Sequence, residues 1–284
     1  MLQNWIKNTQ SRIVHEKDTI VPSLVNLFDL TIQGLGLKPI SSKVSPLDSN
    51  VLSPCRHLVL FPQRLTEPQL ASDGYETLFN PPGYSIRMWA GGNLTWISKN
   101  PLRFGQDVSL TATMPTVTLK QTTRGEAVFT TLHRSISNVA GPSVIETRSL
   151  VYLPASTISD RSIKRSLVPD FTFTCTPTSI SLFRFSSVTF NSHKIHYDQQ
   201  YAKQEGYKSV LVHGPLSLTL LLDTFRMNMP NAILDSFEYS CTGPAYVDDT
   251  ISFHGKLGED QTCFLWGTNQ NDSVVIKGTL RYHT

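Results

Sequence analysis

At 284 residues the chain is long enough for one large domain or two of medium size. Its apolar (39%), aromatic (10%) and charged (17%) fractions are those of an ordinary globular protein, and a net charge of +3 without a Lys/Arg run gives no reason to expect nucleic acid. No segment approaches the ~18 apolar residues of a membrane span, and the separated Cys55, Cys175, Cys241 and Cys263 fit free thiols in a reduced compartment better than a disulfide framework or a zinc site.

Residues 1–15 hold Lys7, Arg12 and His15 with no acid, among Trp5, Ile6, Ile13 and Val14, a pattern faintly like a mitochondrial presequence. Asp18 or Thr19 is placed to cap a helix entering at Pro22, whose apolar side is Leu24, Val25, Leu27, Phe28, Leu30 and Ile32 and which Gly34 and Gly36 close. A loop bearing Ser and Pro follows over 39–55. Residues 56–61, 85–89, 93–97, 106–120, 126–137 and 143–153 read as strands, with alternation clearest from Val108 to Met114. The first half is thus one helix and a run of antiparallel strands.

Residues 155–170 lack an apolar period and read as a linker. Beyond it the plan repeats. Residues 183–188 look like a strand, since Phe183, Phe185 and Val188 stand among Ser and Thr. A polar stretch with Asn191, His193 and His196 follows, and then a helix start at Gly214-Pro215. Leu216, Leu218, Leu220, Leu221, Leu222, Phe225 and Met227 cover most of that helix's circumference, so it is expected to be buried on nearly all sides until Pro230 stops it. Residues 237–241, 250–257, 262–267 and 273–282 read as strands. The expected class is α+β, with related domains at 1–154 and 171–284; a single mixed domain is the alternative.

The segment Thr189-Phe-Asn-Ser-His-Lys-Ile-His-Tyr-Asp carries the clearest chemical signal. His196 follows Asn191 by five residues and precedes Gly214 by eighteen. These spacings, with Tyr197, Asp198, Tyr201 and Ala202, resemble the motif of the MaoC-like (R)-specific enoyl-thioester hydratases and dehydratases. The wording is similar to the fungal mitochondrial type 2 branch of that family, as are Asn4-Trp5-Ile6 and Arg87-Met-Trp89-Ala-Gly-Gly92 in the first half.

The resemblance implies a double hotdog, two antiparallel sheets each wrapping a central helix, with one site in the C-terminal half and no metal or organic cofactor. It implies a (3R)-hydroxyacyl-thioester dehydratase acting on acyl carrier protein substrates in mitochondrial fatty acid synthesis. The alternatives are an enoyl-CoA or dicarboxyl mono-CoA hydratase of a degradative route, and a non-catalytic thioester-binding protein. His196 is the expected base, because imidazole titrates near working pH. The Gly214 N–H, at the positive end of a buried helix, is the expected donor to the thioester oxygen. Asn191 stands where the family has Asp; an amide is no base but can orient His196 or the hydroxyl. His193 and His213 are expected substrate neighbours, with His213 also read as packing against the turn and Asp198 as a turn-stabilising carboxylate. Lys194, Lys203 and Lys208 are compatible with a carrier-protein surface. Arg87, Trp89, Gly91 and Gly92 read as strand core and turn.

Overall fold

The structure is a computed structural model describing residues 1–38, 50–122, 125–154, 164 and 167–284. Helix α1 (Leu2–Gln10) and strand β1 (Ile13–Thr19) lead into α2 (Pro22–Gln33) and, after a 3-10 turn at Arg56–Val59, into β2 (Ile86–Trp96), β3 (Asp107–Thr122), β4 (Gly125–Asn138) and β5 (Gly141–Leu153). The second half runs β6 (Phe171–Cys175), α3 (Ser179–Thr189), α4 (Gln199–Gln204), α5 (Gly214–Asn228), β7 (Ile233–Cys241), β8 (Ile251–Leu257), β9 (Thr262–Thr268) and β10 (Val274–His283).

The ten strands of the described residues form one antiparallel sheet, ordered β1-β3-β4-β5-β2-β7-β10-β9-β8-β6. Read inward from its two edges, the sheet gives 1-3-4-5-2 and 6-8-9-10-7, the same chain plan twice. The two five-stranded halves join where β2 pairs with β7, from Gly91 opposite Ser240 to Thr95 opposite Ser236. A bulge between Trp89 and Gly91 precedes that seam. Gly91 has φ +141° there, and a Cβ would stand 2.3 Å from the Tyr239 carbonyl oxygen, so only glycine lets β2 and β7 meet.

The strand alternation in β3 holds, with Val108, Leu110, Ala112 and Met114 buried. Helix α5 is the core of the second half: every residue from Leu216 to Phe225 is buried. It lies against β6, β8 and β9. The first half differs. Its helix α2 packs on α3 through Phe28 and Phe185 but leaves Leu27 and Leu30 exposed.

Several expectations change. Residues 183–188 are helical, not extended. Thr178 caps α3 by accepting from Ser181 N–H, and Leu182, Phe185 and Val188 recur every three residues along one buried face, so helical spacing overrides a composition that favours strands. Residues 56–59 are a 3-10 turn because Arg56 is drawn inward, bonding Asp29 and both carboxylate oxygens of Asp223 on α5 at 2.7 and 2.9 Å. The strands expected at 85–89 and 93–97 are one bulged strand, β2. Val21, not Asp18 or Thr19, occupies the cap position of α2, while Asp18 accepts from Phe61 N–H.

The loop expected at 39–55 and the linker at 155–170 fall largely outside the described residues. Residues 1–15 fold as α1 and the start of β1, whose Ile13, Val14 and His15 pair with Thr113, Ala112 and Thr111, so cleaving them as a leader would remove part of the edge strand. The four cysteines are free, and no described helix is long and apolar enough to cross a membrane.

Candidate active site

A cavity of about 390 Å³ opens between the two halves, and His196, Asn191, Gly214 and His193 all line it. The second half builds this constellation at the turn between α3 and α5. Helix α3 ends at Phe190, which adopts a left-handed conformation (φ 51°), and Asn191 N–H then bonds back to the Ser186 carbonyl. Asn191 Oδ1 accepts from His193 N–H at 3.0 Å. Only the amide oxygen can accept, which leaves the Asn191 amide nitrogen as a donor at the cavity. A single 3-10 turn, Lys194–His196, then carries the imidazole into place.

His196 Nδ1 lies 2.9 Å from the Leu211 carbonyl oxygen. A carbonyl only accepts, so Nδ1 holds the proton and Nε2 keeps its lone pair. Burial pushes the His196 pKa down to about 4, against which the Leu211 bond acts upward, so the ring is neutral at neutral pH. His213 stacks on it with centroids 3.7 Å apart and a 21° tilt, and His213 Nε2 meets Ser186 Oγ at 2.9 Å.

His213, expected as a substrate neighbour or as packing against the turn, is fully buried and outside the cavity lining. Its ring packs on that of His196. Burial, with His196 and His193 beside it, depresses its pKa strongly. Asp198 likewise stays away from the chemistry: its carboxylate caps α4 by accepting from Tyr201 N–H.

Gly214 is the first residue of α5, after His213 at the cap position. As a first-turn amide its N–H has no partner within the helix. Its φ is not in the left-handed region, and a Cβ would meet only the Trp89 ring, 3.5 Å away. Neither backbone strain nor crowding by the protein demands glycine at this position.

The first half supplies the rest of the wall. A loop from residues 66–84 is pinned to the histidine turn by Lys194 N–H bonding the Asp73 carbonyl and Ser192 Oγ–H bonding the Gly74 carbonyl. Gly74 has φ +79°, and a Cβ there would sit 2.3 Å from the Ser192 carbonyl oxygen. His193 Nε2 lies 3.6 Å from Asp73 Oδ2, yet burial, with His196 and Arg87 beside it, holds its pKa well below the usual value.

Arg87 and Trp89, expected as plain strand core, face the cavity, as do Arg134 and Arg148. These last two went unnoticed in the sequence. The signal was the alternation Glu146, Arg148, Leu150, Tyr152, which sets a carboxylate and a guanidinium on the inner face of β5. Of the lysines, Lys208 is engaged by Asp249 at 2.8 Å. Among the described residues no group of three His, Cys, Asp or Glu side chains is arranged to hold a metal ion.

Residues 55–247 match the family model of hydroxyacyl-thioester dehydratase type 2. The chain is 33% identical over 218 residues to mesaconyl-C(4)-CoA hydratase of Chloroflexus aurantiacus, covering 71% of this chain and 74% of that protein. It is 26% identical over 280 residues to the mitochondrial hydroxyacyl-thioester dehydratase type 2 of Schizosaccharomyces pombe, covering 88% and 91%. Its fold is similar to that of a MaoC-like dehydratase from Phytophthora capsici (TM-score 0.72, 11% identity, 100% and 99% coverage). A Mycobacterium tuberculosis protein described as a double hotdog is also similar (TM-score 0.59, 11% identity, 96% of each chain). The chain is a hydro-lyase on the double hotdog fold and belongs to the hydroxyacyl-thioester dehydratase type 2 family.

Proposed function

We propose that this chain catalyses the reversible dehydration of (3R)-3-hydroxyacyl thioesters to trans-2-enoyl thioesters, with His196 as the base. The observation that carries the reading is the 2.9 Å bond from His196 Nδ1 to the Leu211 carbonyl, which leaves Nε2 unprotonated in a cavity bordered by a helix N-terminus. In dehydration Nε2 takes the proton from C2, and the electron pair left behind moves toward the thioester oxygen, where the Gly214 N–H stabilises the charge. As that charge returns to form the C2–C3 double bond, the C3–O bond breaks. The departing hydroxyl takes the proton from Nε2 and leaves as water, restoring the neutral imidazole. The Asn191 amide donor holds the hydroxyl on its way out. In this reading residues 171–284 form the domain carrying the reacting groups, and residues 1–154 form the domain that receives the acyl group.

The names of the fungal relatives support a hydroxyacyl-thioester substrate and a mitochondrial setting. The second reading, hydration of a CoA thioester, is favoured by the higher identity to the Chloroflexus hydratase and by the arginines in the cavity wall, which suit a polar acyl group better than an alkyl chain. The test is hydration of crotonyl-CoA and longer trans-2-enoyl thioesters by the wild type and by folded His196→Ala. A loss of about 10²–10⁴ in kcat is expected of the variant. Failure of the wild type on every thioester, including carrier-protein forms, would leave a thioester-binding role instead.

A further inference from the structure

We propose that His193 is a second catalytic imidazole, accepting a hydrogen bond from the reacting water through Nδ1, and that Asp73 of the first half is the positioning residue that sets its tautomer. The inference rests on the hydro-lyase reading above and adds the groups that hold the hydroxyl being lost or gained.

The buried Asp73 is fixed by its own loop and by the histidine turn. Its carbonyl accepts from Lys194 N–H at 2.8 Å, and Oδ1 accepts from Tyr75 N–H at 2.9 Å. The other oxygen, Oδ2, stands 3.6 Å from His193 Nε2 and 3.9 Å from an Arg87 nitrogen, so its pairing with Arg87 leaves a second lone pair for the ring. A bare nitrogen facing a carboxylate at that distance would be repelled, whereas an N–H is attracted, so Nε2 carries the ring proton. The ring holds no second proton, because burial, with His196 and Arg87 beside it, keeps its pKa well below the usual value. Nδ1 is then a free lone pair on a ring that borders the cavity.

His196 has the opposite tautomer, with Nδ1–H on the Leu211 carbonyl and Nε2 bare. The two rings meet edge to face at 89° with centroids 5.7 Å apart. An oxygen about 4 Å from each centroid reaches a nitrogen of each at ordinary hydrogen-bond length, and rings at this spacing can share such a point. A water there gives one hydrogen bond to each imidazole. It accepts one from the amide nitrogen of Asn191, whose oxygen is already committed to His193 N–H. Its second lone pair is left to attack C3.

This arrangement accounts for an amide at residue 191. Two acceptors and one donor orient one water, while an aspartate would place a third acceptor around two protons. In hydration the proton facing His196 passes to Nε2 as the O–C3 bond forms, and from Nε2 to C2. The proton facing His193 stays on the oxygen and becomes the hydroxyl proton of the product. Dehydration runs the same steps in reverse.

The test begins with the imidazole tautomers of the full-length wild type, read by 15N–1H correlation spectroscopy and assigned for His193 through its contacts with the Tyr75 and Tyr201 rings. His193 is expected as Nε2–H and His196 as Nδ1–H. In Asp73→Asn, whose amide oxygen stays on Tyr75 N–H, the NH2 group faces His193, and the ring should change to the Nδ1–H form. Its kcat for crotonyl-CoA hydration should fall about tenfold or more with KM nearly unchanged. His193→Ala should lose as much, His193→Asn should recover part through its amide oxygen, and Asn191→Asp should lower kcat. Nδ1–H His193 in the wild type, full kcat in folded His193→Ala, or a raised kcat in Asn191→Asp overturns the second imidazole. Asp73→Asn with His193 still Nε2–H and kcat unchanged overturns the role of Asp73. The wild-type tautomer does not depend on whether any variant folds. Any of these results in a wild type that hydrates crotonyl-CoA leaves the hydro-lyase intact, whereas no turnover of any enoyl thioester would overturn both.

Discussion

Acidification should destabilise this protein before its carboxylates protonate, and His57 provides the cleanest measure. The residue is 2% exposed, Nε2 has no hydrogen-bond partner, and burial drops its pKa from 6.5 to about 4. Because the folded pKa lies below the unfolded one, the unfolded chain takes up the proton first as pH falls. Its contribution is therefore intact above about pH 6.5, lost progressively toward pH 4 and constant below. At pH 5 the unfolded form is ~97% protonated and the folded form ~10%, which amounts to about 2 kcal/mol of lost stability from this one side chain. His196 adds a smaller share of the same sign, because its ring borders the cavity and solvent screens part of the effect. The assay is urea unfolding followed by circular dichroism at pH 7 and pH 5, for wild type and His57→Gln. Carboxylate contributions are common to both proteins and cancel, so the variant should lose about 2 kcal/mol less than wild type on acidification. Equal losses in the two would refute a neutral buried His57.

Gly214→Pro deletes the proposed oxyanion N–H at a helix position that tolerates proline, after a His213 already extended (φ −62°, ψ 133°). Its kcat should fall about 10²–10³ with far-ultraviolet dichroism unchanged, and a fall under threefold would remove that N–H from the mechanism. Asn191→Ala frees the His193 N–H and removes the cavity donor, so kcat should drop about tenfold or more in a stopped spectrophotometric assay of enoyl hydration. Retained activity would place Asn191 in the turn alone. Asp223→Ala leaves Arg226 buried without its carboxylate and Arg56 with Asp29 alone, at a cost of about 3–5 kcal/mol in chemical denaturation.

Much of this was legible without coordinates because it depends on local spacing. The burial of α5 followed from apolar residues on every side of one helix, and its start from Gly214-Pro215. The Asn191-to-His196 and His196-to-Gly214 intervals carried the family. Strand β3 announced itself by alternation. Asp198 read as a turn-stabilising carboxylate, and the structure makes that turn the start of α4, which Asp198 caps by accepting from Tyr201 N–H. What it could not determine depends on partners far away in the chain. Residues 183–188 have the composition of a strand, and only the burial of Leu182, Phe185 and Val188 beside α2 makes them a helix. Residues 56–59 turn because Arg56 finds Asp223, distant in sequence but adjacent in space. The tautomer of His196 is decided by a carbonyl at Leu211 across the turn, and the placement of His213 behind that ring by the stacking of two elements. The charged floor of the cavity needed the register that sets Arg134 opposite Glu146 and the bulge at Gly91 that joins the two half-sheets. Side-chain type and spacing are properties of a segment; the protonation of a ring, the sharing of a carboxylate and the far wall of a pocket are properties of segments brought together.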